Sequence, residues 1–119
     1  MSLGYEPDGV KIYLFGEAVD MRKQMNGLLA LVEGAYQMNP YEKAIFLFTN
    51  KKKNKLKALR WDENGFVVYY KSLQRGSFHF PDLSEAEDGH IIISAHDMRR
   101  LLYGLEMECV LKKRRYISM

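Results

Sequence analysis

Residues 44–73 read AIFLFTNKKKNKLKALRWDENGFVVYYKSL, and the fold turns on how that stretch divides. Ala44–Thr49 is a nearly continuous apolar run, which suits a strand buried on both faces. Residues 50–54 are polar and basic and read as a turn. Residues 55–61 have mixed character on both faces, as a second strand would. Asp62-Glu63-Asn64-Gly65 is a strong hairpin signal, because Asn-Gly takes positive φ at little cost. Residues 66–73 then return as a third strand. Connections this short join antiparallel neighbours, so the stretch predicts a β-meander. If Trp61 faces Phe66, then Lys57 lies opposite Tyr70, Leu59 opposite Val68, Arg60 opposite Val67 and Ala58 opposite Tyr69. Cross-strand pairs of this kind stabilise a sheet by ~0.2–1 kcal/mol each.

Outward from the meander, residues 10–15 (Val-Lys-Ile-Tyr-Leu-Phe) alternate around β-formers and close at Gly16, so a strand is expected there. Asp20 is a good N-cap. Met21, Met25, Leu28, Leu29, Val32, Ala35 and Tyr36 then recur at three- and four-residue spacing. That predicts an amphipathic helix ending near Asn39-Pro40, with Gly27 and Gly34 as weak points or sites of close packing. On the other side, Ser77-Phe78-His79-Phe80-Pro81 suggests a short edge strand. The acidic residues 82–89 suggest a mobile loop, and His90–Ile93 another strand. Ser94-Ala95-His96-Asp97 resembles a capping box, with Met98, Leu101, Leu102 and Leu105 as the stripe of a short helix ending near Gly104. The expected fold is α+β: an antiparallel meander packed against a long helix in the N-terminal half, with a short C-terminal helix. Residues 1–119 make one domain, with a core over about 9–105 and a basic tail over 106–119.

A chain of 119 residues is long enough to bury one modest core. Hydrophobic residues at 47% and charged residues at 28% exclude disorder throughout. No apolar run approaches the ~18–20 residues a transmembrane helix needs. The first residues show neither a basic n-region nor a small-residue cleavage site, so a soluble, cytoplasmic protein without a membrane partner is expected. Cys109 is the single cysteine, which excludes an intramolecular disulfide and any multi-cysteine zinc site. Among Leu105, Met107, Val110 and Leu111 it reads as a small packing residue.

The net charge is only +3, but it is segregated. Lys51, Lys52, Lys53, Lys55, Lys57 and Arg60 form one basic cluster, and Lys112, Lys113, Arg114 and Arg115 another. Residues 82–88 are acidic. Segregation of this kind points to a polyanionic partner.

Catalytic signatures are missing: there is no Walker loop, G-x-G-x-x-G, H-E-x-x-H or G-x-S-x-G. His79, His90 and His96 lack metal-ligand spacing. Asp8, Asp20, Asp62, Glu63 and Asp82 are the acidic candidates for a divalent-metal nuclease, but capping explains Asp20, and turn formation explains Asp62 and Glu63. The expectation is a protein without catalytic residues, metal or cofactor. Lysines attract phosphate whatever the base sequence. The candidate nucleic-acid contacts are Lys51, Lys52, Lys53, Lys55, Lys57, Arg60, Lys71, Arg75, Arg22 and Lys23. Trp61, Phe66, Tyr69 and Tyr70 are assigned to packing, as aromatics on a meander usually are.

These residues also carry a family likeness. Asp20-Met21-Arg22-Lys23 with Gly27-Leu28 and Leu31-Val32, then Phe46 and Phe48, and the basic loop, resemble the TnpB accessory proteins of the insertion-sequence family numbered sixty-six. Lys57-Ala58-Leu59, Trp61-Asp62, Gly65-Phe66, Tyr69-Tyr70-Lys71, Leu73, Gly76, Phe78, Pro81 and residues 101–105 (Leu-Leu-Tyr-Gly-Leu) continue the likeness in order. It runs from about Gly9 to Leu105. Ser72 stands where the family carries Arg, which removes a cation, and Phe80 stands where it carries Trp. The resemblance implies a bacterial mobile element in which a second open reading frame encodes this accessory protein beside a separate DDE transposase. It implies an accessory role in transposition and no strand cleavage by this chain. With the lysine cluster, the expected partners are DNA at the element ends and that transposase; the alternative is a protein-interaction module that docks on the transposase without DNA contact. It implies no kinship with the RNA-guided nucleases that share the name TnpB.

Overall fold

A computed structural model describes residues 9–83 and 86–105. Its centre is a five-stranded sheet: β1 (Lys11–Ala18), β2 (Ala44–Thr49), β3 (Lys55–Asp62), β4 (Gly65–Ser72) and β5 (His90–Ile93), in the order β4-β3-β2-β1-β5. β2, β3 and β4 form the expected antiparallel meander, and Trp61 pairs with Phe66, Lys57 with Tyr70 and Leu59 with Val68. The sheet as a whole is mixed, because β1 runs parallel to β2 and antiparallel to β5. A parallel pair needs a crossover, and the helical segment between β1 and β2 supplies it.

Alternation along the strands builds two cores. On one face Ile12, Leu14, Ile45, Leu47, Leu56, Ala58 and Ile93 meet Met98, Leu101 and Leu102 of α2 (Ala95–Leu102), with Phe78 plugged in beside them. On the other, Tyr13, Phe15, Phe46, Phe48 and Leu59 meet Leu28 and Val32 of α1 (Met25–Ala30) and of the π-helical turn Leu31–Ala35 that continues it. β2 is buried along its whole length, which explains its unbroken apolar run. Gly16 is required where residue 83 crosses β1: a Cβ there would lie 2.7 Å from the Leu83 Cβ.

The helix between β1 and β2 is shorter than its stripe predicts, and it begins later. Asp20 does not cap it. Its carboxylate accepts from the Arg22 backbone N–H (2.9 Å) and from the Arg22 guanidinium, while the Lys23 N–H donates to the Asp20 carbonyl (3.0 Å). Those bonds close a local turn and postpone the helix to Met25. Leu28 N–H then makes the first helical bond, to Gln24. At the far end Tyr36 N–H reaches back five residues to Leu31 (3.0 Å), and Gln37 ends the helix at φ 52°.

Three smaller expectations also change. In the hairpin the positive φ falls on Glu63 (53°), and Gly65 is already in β4 opposite Asp62. Residues 77–80 form no strand; Phe78 is instead buried, with its N–H on the Lys53 carbonyl (2.7 Å). Leu105 leaves the apolar stripe and is exposed, because α2 stops at Leu102 and Gly104 turns the chain at φ +78°. Ser94 does cap α2: its hydroxyl accepts from Asp97 N–H at 3.0 Å. Within the acidic stretch Glu87–Gly89 form one 3-10 turn. Ser84, Glu85, Cys109 and the basic tail lie outside the described residues.

Candidate nucleic-acid interface

The β2–β3 turn is built around Asn50. Its side-chain oxygen accepts from the N–H groups of Asn54 (3.1 Å) and Lys55 (3.0 Å), while its amide donates to the Asn54 side chain (2.7 Å). Lys53 adopts a left-handed φ of 58° and donates its N–H to the Asn50 carbonyl. The neighbouring connection clasps the turn from outside, with Leu73 N–H on the Asn54 carbonyl (2.8 Å) and Phe78 N–H on that of Lys53. Backbone groups of Asn50, Lys53, Asn54 and Lys55 are thereby satisfied, partly within the turn and partly by the clasp. Lys51, Lys52 and Lys53 project from it as exposed side chains.

The other cationic candidates divide by position. Arg75, exposed, lies in the clasping connection at the same end of the sheet, and Lys55, half-buried, opens β3 there. Lys23 is exposed on the turn before α1, and its carbonyl accepts the Lys57 ammonium at 2.7 Å. Lys57 is thereby committed to the fold. It is only 8% exposed, and its ammonium lies 5.1 Å from the centre of the Tyr70 ring. Lys71 is similarly placed on the opposite face, donating to the Leu102 carbonyl (2.7 Å) and lying 5.7 Å from the Tyr103 ring centre. Arg60 is buried near the far end of β3 in the layer covered by α2, away from the turn.

Arg22 is exposed, but its guanidinium grips both oxygens of Asp20, at 3.0 and 2.7 Å. Hydrogen bonds from the Arg22 side chain, then from its backbone N–H, hold the Asp20 carboxyl down at about 2. This neutralised pair adds little positive potential to the end of the sheet. The accessible cations gathered there are thus Lys51, Lys52, Lys53, Lys23 and Arg75, with Lys55 at their edge.

Two features were not among the sequence candidates. Tyr103 is 74% exposed, at the end of α2 and off its apolar stripe; that position off the stripe is the signal that marks it. At the opposite end of the sheet Tyr41, Trp61 and Phe66 form a cluster with ring centroids 4.9–5.1 Å apart. Tyr41 is 55% exposed, and Asp62 and Glu63 follow in the adjoining hairpin. Among the described residues no group of three or more His, Cys, Asp or Glu side chains is placed to hold a metal ion, and no helix there is long and apolar enough to cross a membrane.

Comparison with known proteins is consistent across nearly the whole chain. Two Sinorhizobium fredii proteins are similar to it. The uncharacterized protein y4jC is 35% identical over 105 residues, covering 88% of this chain and 87% of its own length. The uncharacterized protein y4hO is 30% identical over 97 residues, covering 82% of each. No solved structure matches significantly. Residues 10–112 match the family described as IS66 Orf2 like protein, so the chain belongs to that family of insertion-sequence accessory proteins.

Proposed function

We propose that this chain assists IS66 transposition by binding DNA at the element ends, with Lys51, Lys52 and Lys53 as its main phosphate contacts, while a separate DDE transposase performs the chemistry. The observation that carries the reading is the Asn50-centred turn, which presents three consecutive lysines from a hydrogen-bonded frame. A frame that is already ordered limits the entropy lost on binding to the side chains. Lys23, Arg75 and Lys55 extend the same basic end. Phosphate contacts of this type position a protein without reading sequence. The test is a gel shift with element-end DNA at low salt, comparing the unaltered protein with a Lys51→Ala/Lys52→Ala/Lys53→Ala variant. The proposal expects a shift that weakens at least tenfold in the variant. Equal retention would exclude the lysine turn as the phosphate contact.

A second reading, docking on the transposase, draws on the Tyr41–Trp61–Phe66 cluster. An exposed aromatic group flanked by carboxylates suits a protein partner better than a polyanion. Co-purification with the transposase after nuclease treatment, lost in Tyr41→Ala, would support it. No co-purification would leave DNA as the partner to pursue.

A further inference from the structure

Two exposed tyrosines stand beside the lysine turn, and each is backed by an ammonium group. Tyr70 lies near the end of the edge strand β4, 49% exposed, with Lys57 over its ring at 5.1 Å. In the β3–β4 register Lys57 is directly opposite Tyr70 and Lys55 opposite Ser72, so Lys55 is the diagonal neighbour of the ring. Lys57 is in turn fixed by the Lys23 carbonyl. On the other side of the same edge Tyr103 has Lys71 against its ring at 5.7 Å, and Lys71 is fixed by the Leu102 carbonyl. Both rings therefore rest on lysines that are themselves tied to backbone, and both keep a large open surface. Residues 73–80 lead from the end of β4 to the turn that carries Lys51, Lys52 and Lys53.

Packing accounts for neither ring. A buried aromatic contributes by its covered area, and these two are among the most exposed large hydrophobic side chains of the described residues. Exposed rings held in place beside exposed lysines are what unpaired bases stack on, at a cost in ordering that the fixed lysines reduce. A duplex presents phosphates but hides its base faces. From this juxtaposition we propose that the basic end of the sheet binds single-stranded DNA: Tyr70 and Tyr103 stack on unpaired bases while Lys51, Lys52 and Lys53 hold the adjacent phosphates. The inference rests on the DNA-binding reading and specifies the form of DNA.

Fluorescence anisotropy with three labelled probes separates the two. The probes are a 20-nucleotide single strand of mixed sequence, the same sequence as duplex, and a single strand of equal length with most of its bases removed. The unaltered protein is expected to bind the intact single strand about tenfold or more tighter than the base-stripped one. Tyr70→Ala and Tyr103→Ala are each expected to weaken the intact single strand about fivefold or more, with little effect on the duplex. Tyr70→Phe and Tyr103→Phe keep the ring and should bind as the parent does. Equal affinity for the intact and base-stripped strands overturns the stacking proposal, as does unchanged single-strand binding by both alanine variants. The probe comparison uses the unaltered protein, so it tests stacking even if an alanine variant fails to fold. Absence of binding to all three probes would overturn the underlying DNA reading instead.

Discussion

Five lysines fall within residues 51–57, yet they have two different physical roles. Lys51, Lys52 and Lys53 face water, where a charge is cheap to keep and available to a partner. Lys57 gives its ammonium to the Lys23 carbonyl and stays 8% exposed. A hydrogen bond from a charged group contributes about 1.5–3 kcal/mol. Lys57→Ala should therefore lower unfolding stability by about 1.5–3 kcal/mol in urea titration, while Lys52→Ala stays within about 0.5 kcal/mol. Equal effects from the two would contradict the division. Sequence places Lys57 opposite Tyr70 but does not show that it is covered, because the Lys23 carbonyl that takes its ammonium comes from 34 positions away. Asp20 is a second case. Sequence marks it as a helix cap, and Arg22 captures it first. Its lowered carboxyl makes a sharp expectation: whatever the pair contributes is present above about pH 4 and is lost as pH falls through about 2. A carboxyl carbon NMR titration should place the Asp20 midpoint near 2, and Arg22→Ala should return it toward the ordinary carboxylate range.

At the scale of elements, the meander was legible because its signals are local. Pairing across the hairpin follows once Trp61 is set against Phe66, and the structure has that register through to Lys55 and Ser72. The parallel pairing of β1 with β2 was not legible, since it joins residues some thirty positions apart and leaves no short-range mark. The length of α1 was overstated for a related reason. An apolar stripe reports which residues face a core, and Met21 does pack against it, but from a turn rather than a helix. The Asn50 turn is the element on which the proposed DNA binding rests. Asn50→Ala removes one acceptor shared by two backbone N–H groups and leaves the net charge unchanged. It should weaken DNA binding severalfold and lower stability by about 1–3 kcal/mol. Anisotropy and a denaturant titration on the same sample check both. Loss of stability with full affinity would mean that the frame does not matter to binding.

For the whole molecule, the sheet separates two surfaces. One end gathers Lys51, Lys52, Lys53, Lys23 and Arg75, with Tyr70 and Tyr103 beside them. The other carries Tyr41, Trp61 and Phe66 next to Asp62 and Glu63. A net charge of +3 for the whole chain says nothing of where its charges sit. Between the ends, α2 and α1 cover the two faces, and Arg60 is placed within the α2 layer, far from the turn that carries Lys51, Lys52 and Lys53. Contact between the lysine turn and DNA phosphate would show in the salt dependence of binding. Each phosphate neutralised adds about 0.7 to the slope of log affinity against log salt on a single strand, and about 0.9 on a duplex. Replacing Lys51, Lys52 and Lys53 together by Ala, with the fold checked by circular dichroism, should reduce the magnitude of that slope by about 2 to 3. An unchanged slope in the folded variant would mean that the turn does not touch phosphate.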